Sequence, residues 1–144
     1  MQRLVRGGAI ALIAVSTACT AHSNNKQHEI GFSCTVSGAK IADPTMDNVA
    51  VCDLFQSKID SALSHRTIRV DPQATAESAQ SISIDIRYTK LGSIVASIEE
   101  RNDSVSSRYP EISVDVSDKP IGRQDVNLLA TEVARVIAEK RMKP

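Results

Sequence analysis

The chain has 144 residues, 42% of them hydrophobic and 24% charged, with 17 basic and 17 acidic side chains. This length suits one domain with a modest core and is too short for two ordinary domains. Because a phosphate backbone is bound by a surplus of lysine and arginine, the balanced charge argues against a nucleic-acid partner. The aromatic residues are two Phe and two Tyr with no Trp, too few for a site that stacks sugars or bases.

The first 18 residues have the pattern of a secretory signal peptide. Arg3 and Arg6 precede a short apolar stretch at 9–15, and small residues follow it up to Ala18. The apolar stretch is too short to remain in a bilayer as a spanning helix. We therefore expect residues 1–18 to be a signal peptide.

Two cleavage positions fit this signal. The sequence Ser-Thr-Ala-Cys at 16–19 resembles a bacterial lipobox, in which cleavage after Ala18 leaves a lipidated cysteine as the first residue; the usual pattern has Leu where Ser16 stands. Cys19 is therefore the candidate lipidation site, and the absence of an acidic residue directly after it points to the outer membrane. Alternatively, signal peptidase cuts after Ala21 and the protein is released.

The rest of the chain divides into a polar tether at 19–28 and a single domain at 29–144. Either cleavage removes two of the 17 basic residues and no acidic one, which leaves 15 and 17. The mature chain is then slightly acidic, as expected for a soluble envelope domain.

The domain opens with a strand and a helix. Alternation of apolar residues with small or polar ones predicts a strand at 29–37. A helix is predicted at 46–64, where apolar residues recur at helical spacing: Val51, Cys52, Phe55, Ile59, Ala62 and Leu63.

The start of this helix offers several N-caps. Pro44 after Asp43 fits a first-turn proline behind a cap, and Thr45 and Asp47 are alternatives. After the helix, a short strand is predicted at 67–70, ended by the Asp-Pro pair that follows it.

Three further segments each present one apolar and one polar face. Their apolar residues are Ile82, Ile84, Ile86 and Tyr88, then Ile94, Ala96 and Ile98, then Ile112, Val114 and Val116. Three such strands joined by short connections predict an antiparallel meander. The first hairpin should turn near Gly92, where glycine takes a positive φ readily, and residues 102–108 are predicted to be a longer loop.

A last amphipathic helix is predicted at 123–141, with Val126, Leu129, Val133, Val136 and Ile137 on its apolar face. The predicted order is thus β-α-β-β-β-β-α. Two helices packed on one face of a largely antiparallel sheet bury every apolar stripe. The predicted fold is therefore an α+β two-layer sandwich.

Cys34 and Cys52 are candidates for a disulfide. After export they are the two cysteines left to pair with each other, and the compartment is oxidising. Cys34 shares the inward face of its strand, and Cys52 lies on the apolar stripe of the first helix. The alternative is two buried thiols that act as small hydrophobic side chains.

No catalytic, metal or cofactor motif stands out in the sequence. His22, His28 and His65 share no metal-ligand spacing, and the first two lie in the expected tether. We therefore predict no cofactor and no metal site, and assign no catalytic residue.

Acidic residues on the polar side of the meander, including Asp85, Glu99 and Asp115, allow two hypotheses. Interleaved with Arg and Ser, they fit exposed cross-strand pairs or a face that binds a charged partner. Alternatively, they form the site of a small periplasmic enzyme, whose carboxyl pKa values would be pushed apart by burial. A buried acid in a cleft would favour the enzyme, and a flat, solvated polar face would favour the binding module.

In the order of its elements, the chain is similar to the small α/β domains of envelope lipoproteins and assembly factors, such as the N-terminal domain of the Tol-system propeller protein and the curli secretion lipoprotein. The similarity covers the order of elements and no residue motif, so it concerns the fold. We expect a non-catalytic bacterial protein in the periplasm or on the periplasmic face of the outer membrane, which binds or assists another envelope protein. Membrane attachment would be through lipid on Cys19.

Overall fold

Six strands and two helices are connected in the order β-α-β-β-β-β-β-α. The structure is a computed structural model, which describes residues 29–38, 45–73, 79–89, 92–117 and 119–143. The elements are β1 (Ile30–Gly38), α1 (Asn48–Leu63), β2 (Thr67–Arg69), β3 (Gln80–Tyr88), β4 (Ser93–Asn102), β5 (Val105–Arg108), β6 (Ile112–Asp115) and α2 (Arg123–Met142). Four of them, β1, α1, β2 and α2, begin and end within two residues of their predicted bounds.

The six strands form one mixed sheet in the order β2-β1-β3-β4, with β5 and β6 both beside β4. β1 runs parallel to β2 and to β3, and β4 runs antiparallel to β3, β5 and β6. A parallel pair needs a crossover, and α1 supplies the one between β1 and β2. The mostly antiparallel sheet with two helices confirms the predicted α+β two-layer fold.

The core lies between the sheet and the two helices, which pack against each other and against the same sheet face. It consists of the inward residues of the strands and the apolar stripes of α1 and α2. Twelve large side chains are almost completely buried there: Phe32, Phe55, Ile59, Ile82, Ile84, Ile86, Ile94, Leu129, Ile137, Val51, Val126 and Val133.

The predicted meander is confirmed as β3, β4 and β6. Ile84 pairs with Ile98 across the antiparallel β3–β4 ladder, and Ile94 pairs with Val114 across β4–β6. Apolar residues therefore face apolar residues in register. Alternation fixes this register, since a slip by one residue would turn each apolar set away from the helices.

The segment 102–108, predicted as a loop, is instead a two-residue turn followed by β5. Asn102 pairs with Val105, and Arg108 pairs with Glu99. Asp103, in the turn, has a φ of 52°. β5 gives no apolar alternation because Val105 is exposed and the three residues after it are polar. An edge strand of this kind is held by backbone hydrogen bonds to β4, which periodicity does not report.

The structure shows two features that the sequence analysis addressed, the N-cap of α1 and the turn of the first hairpin. Asp47 is the N-cap of α1, because its Oδ1 accepts the N–H of Ala50 at 2.8 Å. Asp43 and Pro44 lie outside the described residues, ahead of the helix. At the first hairpin Gly92 has a φ of +74°, and a Cβ there would lie 2.7 Å from the Val116 carbonyl oxygen. Glycine is therefore required at this turn.

Candidate functional site

The sheet face away from the helices carries mainly polar side chains. Because successive side chains alternate across a strand, the residues between the core positions of β1, β3 and β4 all point to this side. We call this surface the open face, defined by Ser33, Thr35, Ser83, Asp85, Arg87, Ser97 and Glu99.

Side chains on neighbouring strands of the open face are hydrogen-bonded to each other. Ser33 and Ser83 are register partners, and the Ser33 hydroxyl donates to Ser83 Oγ at 2.9 Å. One step along, the Thr35 hydroxyl donates to Asp85 Oδ1 at 2.7 Å. These contacts link β1 to β3 through side chains as well as backbone.

A second group of contacts links β3, β4 and the residue before β6. Arg87 forms a salt bridge with Glu111, and the Ser97 hydroxyl donates to the same Glu111 oxygen at 2.8 Å. Arg87 Nε also lies 3.7 Å from Asp85 Oδ2. About half of each charged side chain is exposed, so water screens these pairs and each contributes roughly 1 kcal/mol or less.

Glu99 occupies the end of the open face next to β5. Its carboxylate accepts the Ser106 hydroxyl and lies 3.6 Å from Arg108 Nε. The acids of the open face thus have hydroxyl or guanidinium partners in neighbouring strands.

A shallow hollow of about 560 Å³ lies in the middle of the open face. Its lining includes Thr35, Asp85, Glu99, Glu111 and Tyr109. Hydroxyl groups and carboxylate oxygens dominate the polar part of this lining. Such a surface can exchange its hydrogen bonds with those of a polar partner, because its groups are already partly in water.

The three acids of the enzyme hypothesis do not converge in one place. Asp85 pairs with Ser97, and Glu99 lies two residues further along β4, so these two acids are diagonal neighbours in the same hollow. Asp115 pairs with Ser93, four residues from Ser97 along β4, which is roughly 13 Å at the rise of a strand. Asp115 is not part of the hollow's lining.

The contribution of β1 to the open face was missed in the sequence. Ser33 and Thr35 have the alternation of a strand, but periodicity does not say which strand lies beside it. The structure places β1 parallel to β3, which is more than 40 residues later in the chain. The one sequence signal was the polar character of these positions, which matches that of Ser83 and Asp85.

The predicted disulfide joins Cys34 on β1 to Cys52 on α1, with Cα atoms 5.7 Å apart. This separation lies within the usual range for a bridge. The bond ties the helix layer to the sheet across a sequence separation of 18 residues. Structural disulfides of this kind are typical of oxidising compartments, so the bridge indicates a protein that matures outside the cytoplasm.

The remaining predicted sites can be located only in part. His65 is exposed just after α1, whereas Cys19, His22 and His28 lie outside the described residues. Among the described residues, no group of three His, Cys, Asp or Glu side chains is placed to hold a metal ion. In the same part of the chain, neither helix is long and apolar enough to cross a membrane.

Comparison with known proteins adds likenesses of fold. No family model matches the chain, and no curated protein matches its sequence. One solved structure, described only as an uncharacterized protein, has a TM-score of 0.49 and 11% identity over 79% of this chain and 92% of that one. Two PelC dodecamers from Paraburkholderia phytofirmans, one of them a point variant, have TM-scores of 0.46 and 0.44 at 12% identity, covering 77% of this chain and 85% of those. At these values the likenesses carry no argument about function.

Proposed function

We propose that this protein is an exported, non-catalytic binding domain of a bacterial cell envelope, which binds or assists another envelope component. Two observations support export: the signal-like pattern of residues 1–18 and the disulfide between Cys34 and Cys52. The domain would act in the periplasm or at the periplasmic face of the outer membrane, held there by lipid on Cys19.

The observation that carries the binding role is the arrangement of the open face. Its charged groups lie on β3 and β4, pair with one another or with Glu111 and Arg108 beside them, and remain about half exposed. General acid–base catalysis needs a titratable group held within hydrogen-bond reach of a reacting atom, usually in a site that limits water. A broad surface of solvated, mutually paired groups is better suited to recognising a polar partner, because charge complementarity contributes specificity over an area.

The role can be tested by reversing charge on the open face. In a double variant, Asp85→Lys and Glu99→Lys, the two acids of the hollow become basic. The matched control is Glu132→Lys with Glu139→Lys, since both acids pair with Arg135 on the exposed side of α2. Each pair changes the net charge by the same amount, and thermal melting would show whether each variant is folded.

The measurement is crosslinking and affinity capture from native envelopes, with quantitative identification of the captured proteins. We expect a partner that is captured by the unmodified protein and by the α2 control but is lost with the open-face variant. Capture that is unchanged by the open-face variant would contradict the proposed role of this surface.

A further inference from the structure

The two outer edges of the sheet differ in how far their last strands extend. On one side, β5 and β6 together cover β4 along most of its length, and Pro110 lies between them. Proline has no N–H to donate, so this edge is protected against pairing with another strand. On the other side the last strand is β2, which has three residues against the nine of β1.

Because β2 is short, most of β1 has a described neighbouring strand only on the β3 side. It pairs with β1 from Ile30 to Phe32, and the N–H of Val70 then donates to the Phe32 carbonyl at 2.9 Å. β3, on the other side, pairs along β1 as far as Gly38. In the described parts of the chain, no strand lies beside residues 33–38 on the β2 side.

The pairing of Phe32 identifies which backbone groups point to this edge. In a parallel ladder a residue directs its N–H and C=O to the same neighbour, and the direction alternates along the strand. Because Phe32 bonds to the β2 side, Cys34 and Val36 also direct their backbone groups that way. Thr35 and Ser37 direct theirs to β3. Within residues 33–37, two N–H and two C=O groups are therefore presented at the outer edge.

A groove of about 580 Å³ lies next to these groups. It is bounded by the Cys34–Cys52 disulfide, by Val36, and by Val49 in the first turn of α1. Val49 is 61% exposed. Of the exposed large hydrophobic residues in the described parts of the two helices, only Met142 is more exposed. A strand added along the edge would direct alternate side chains into this groove, against Val36 and Val49.

The charged residues at the β2 end of the groove favour a basic residue in the added strand. Arg69 and Asp71 both line that end. Arg69 Nη1 lies 2.8 Å from Asp53 Oδ1, so its charge is already balanced. Asp71 accepts the N–H of Gln73, and no described cation lies within salt-bridge distance of it. An exposed carboxylate without a cation is complementary to Lys or Arg.

We propose that this β1 edge, together with the groove, binds an extended segment of a partner protein by strand addition. The segment would present a β-branched apolar side chain to Val36 and Val49 and a basic residue to Asp71. Main-chain hydrogen bonds to Cys34 and Val36 would supply the attachment, and the groove would supply the side-chain preference. This goes beyond the binding role proposed above, because it concerns a different surface from the open face.

Hydrogen exchange measured by NMR on the full chain tests the edge directly. Without a ligand, the amides of Cys34 and Val36 should exchange rapidly, whereas those of Thr35 and Ser37, which are bonded to β3, should be protected. Slow exchange at Cys34 and Val36 in the unliganded protein would overturn the proposal, because the edge would already be covered.

The binding probe is the synthetic peptide KTVTVTK, in which the two lysines and the two valines lie on the same face of an extended strand, with two controls. One has alternate backbone amides N-methylated, which removes its donors, and the other is ETVTVTE, which reverses its terminal charges. We expect KTVTVTK to protect the amides of Cys34 and Val36, and both controls to bind more weakly. No protection at millimolar peptide, or equal binding by the N-methylated control, would overturn the proposal.

Variants assign the binding to the groove. Val49→Lys should weaken binding of KTVTVTK by about tenfold, because it places a positive charge in the groove that receives the lysines of the peptide, whereas Leu128→Lys, at a similarly exposed position on α2, should not. Asp71→Asn should weaken it about two- to fivefold, the range of an exposed ion pair. Protection of Cys34 and Val36 that rises with protein concentration alone would show that a second copy is the occupant, which overturns the assignment to a partner. None of these measurements depends on the open face, so each proposal can fail separately.

Discussion

Glu100 on β4 and Arg141 on α2 meet at the boundary between sheet and helix, with Glu100 Oε1 2.5 Å from Arg141 Nη2. Both side chains are largely buried, 14% and 25% exposed. The Tyr109 hydroxyl donates to the other oxygen of Glu100, and the Lys140 ammonium lies 4.0 Å from the centre of the Tyr109 ring. Burial, followed by the hydrogen bond to Glu100 and its charge, raises the pKa of Tyr109 well above its usual value. This cluster attaches the C-terminal end of α2 to the sheet.

Removing the Glu100 charge should therefore destabilise the domain. Glu100→Gln leaves the Arg141 guanidinium largely buried without its carboxylate, and we expect a loss of about 2–4 kcal/mol in the free energy of unfolding. The control, Glu132→Gln, breaks an exposed pair with Arg135 and should cost less than about 0.5 kcal/mol. Urea unfolding of both variants gives the comparison. Equal midpoints would mean that the Glu100–Arg141 pair is not buried in solution.

The inward and outward faces of β3 should differ sharply in their response to substitution. Ile84 is 2% exposed and pairs with Ile98, so Ile84→Ala should leave a cavity and cost about 2–5 kcal/mol. Ser83, on the open face, loses one hydrogen bond from Ser33 when changed to Ala, which costs about 1 kcal/mol or less. If thermal unfolding gives the same midpoint for the two variants, the register of β3 is wrong.

The disulfide should make stability sensitive to reduction. The bridge spans 18 residues, and the chain-entropy model assigns about 3 kcal/mol to a loop of that size. Dithiothreitol should lower the melting temperature of the unmodified protein and leave that of the Cys34→Ser, Cys52→Ser double variant unchanged. Thiol labelling of the denatured, unreduced protein gives an independent check, since labelling of both residues would exclude the bridge.

Asp125 should make the start of α2 sensitive to acid. The Gly122 N–H donates to Asp125 Oδ2 at 2.9 Å, and Lys119 Nζ lies 3.3 Å from Oδ1. The hydrogen bond from Gly122 and, less strongly, Lys119 outweigh burial and lower the pKa of Asp125 below 3.8. Because the folded-state pKa is the lower one, this stabilisation is present above the unfolded pKa and is lost as pH falls through the folded value.

Asp125→Asn should thus cost about 0.5–1.5 kcal/mol at pH 7, and the difference from the unmodified protein should shrink as the pH falls below the ordinary pKa of an Asp carboxyl, about 3.9. Gln124→Glu would be the control, because Gln124 is exposed on the same turn. Chemical unfolding across pH 2–7 measures both. A difference that persists unchanged at pH 2 would show that the charge of Asp125 has no part in the cap.

Attachment to the membrane should depend on Cys19. If it is lipidated, Cys19→Ser should move the protein from the membrane pellet to the soluble fraction, and mass spectrometry should show residues 1–18 missing from the unmodified protein. Release after Ala21 predicts no change in fractionation and the loss of residues 1–21. A dominant full-length species in the cytoplasm would contradict export altogether.

The sequence by itself determined the elements whose side chains alternate or recur with a clear period. β3, β4 and β6, both helices and the inward orientation of Cys34 and Cys52 follow from this local pattern, because burial on one side selects which residues are apolar. The turn at Gly92 is equally local, since a positive φ there depends on the residue itself.

Only the tertiary structure decided which strands are neighbours. The placement of β1 between β2 and β3 brings Thr35 to Asp85, and no period in either strand encodes a partner some 50 residues away. β5 was missed because its pairing with Glu99 and Asn102 is made by the backbone, while its side chains are mostly exposed and, apart from Val105, polar. The difference between the two outer edges of the sheet was likewise decided by the tertiary structure. The length over which β2 accompanies β1 depends on where the chain turns away at Val70, a property of the assembled sheet.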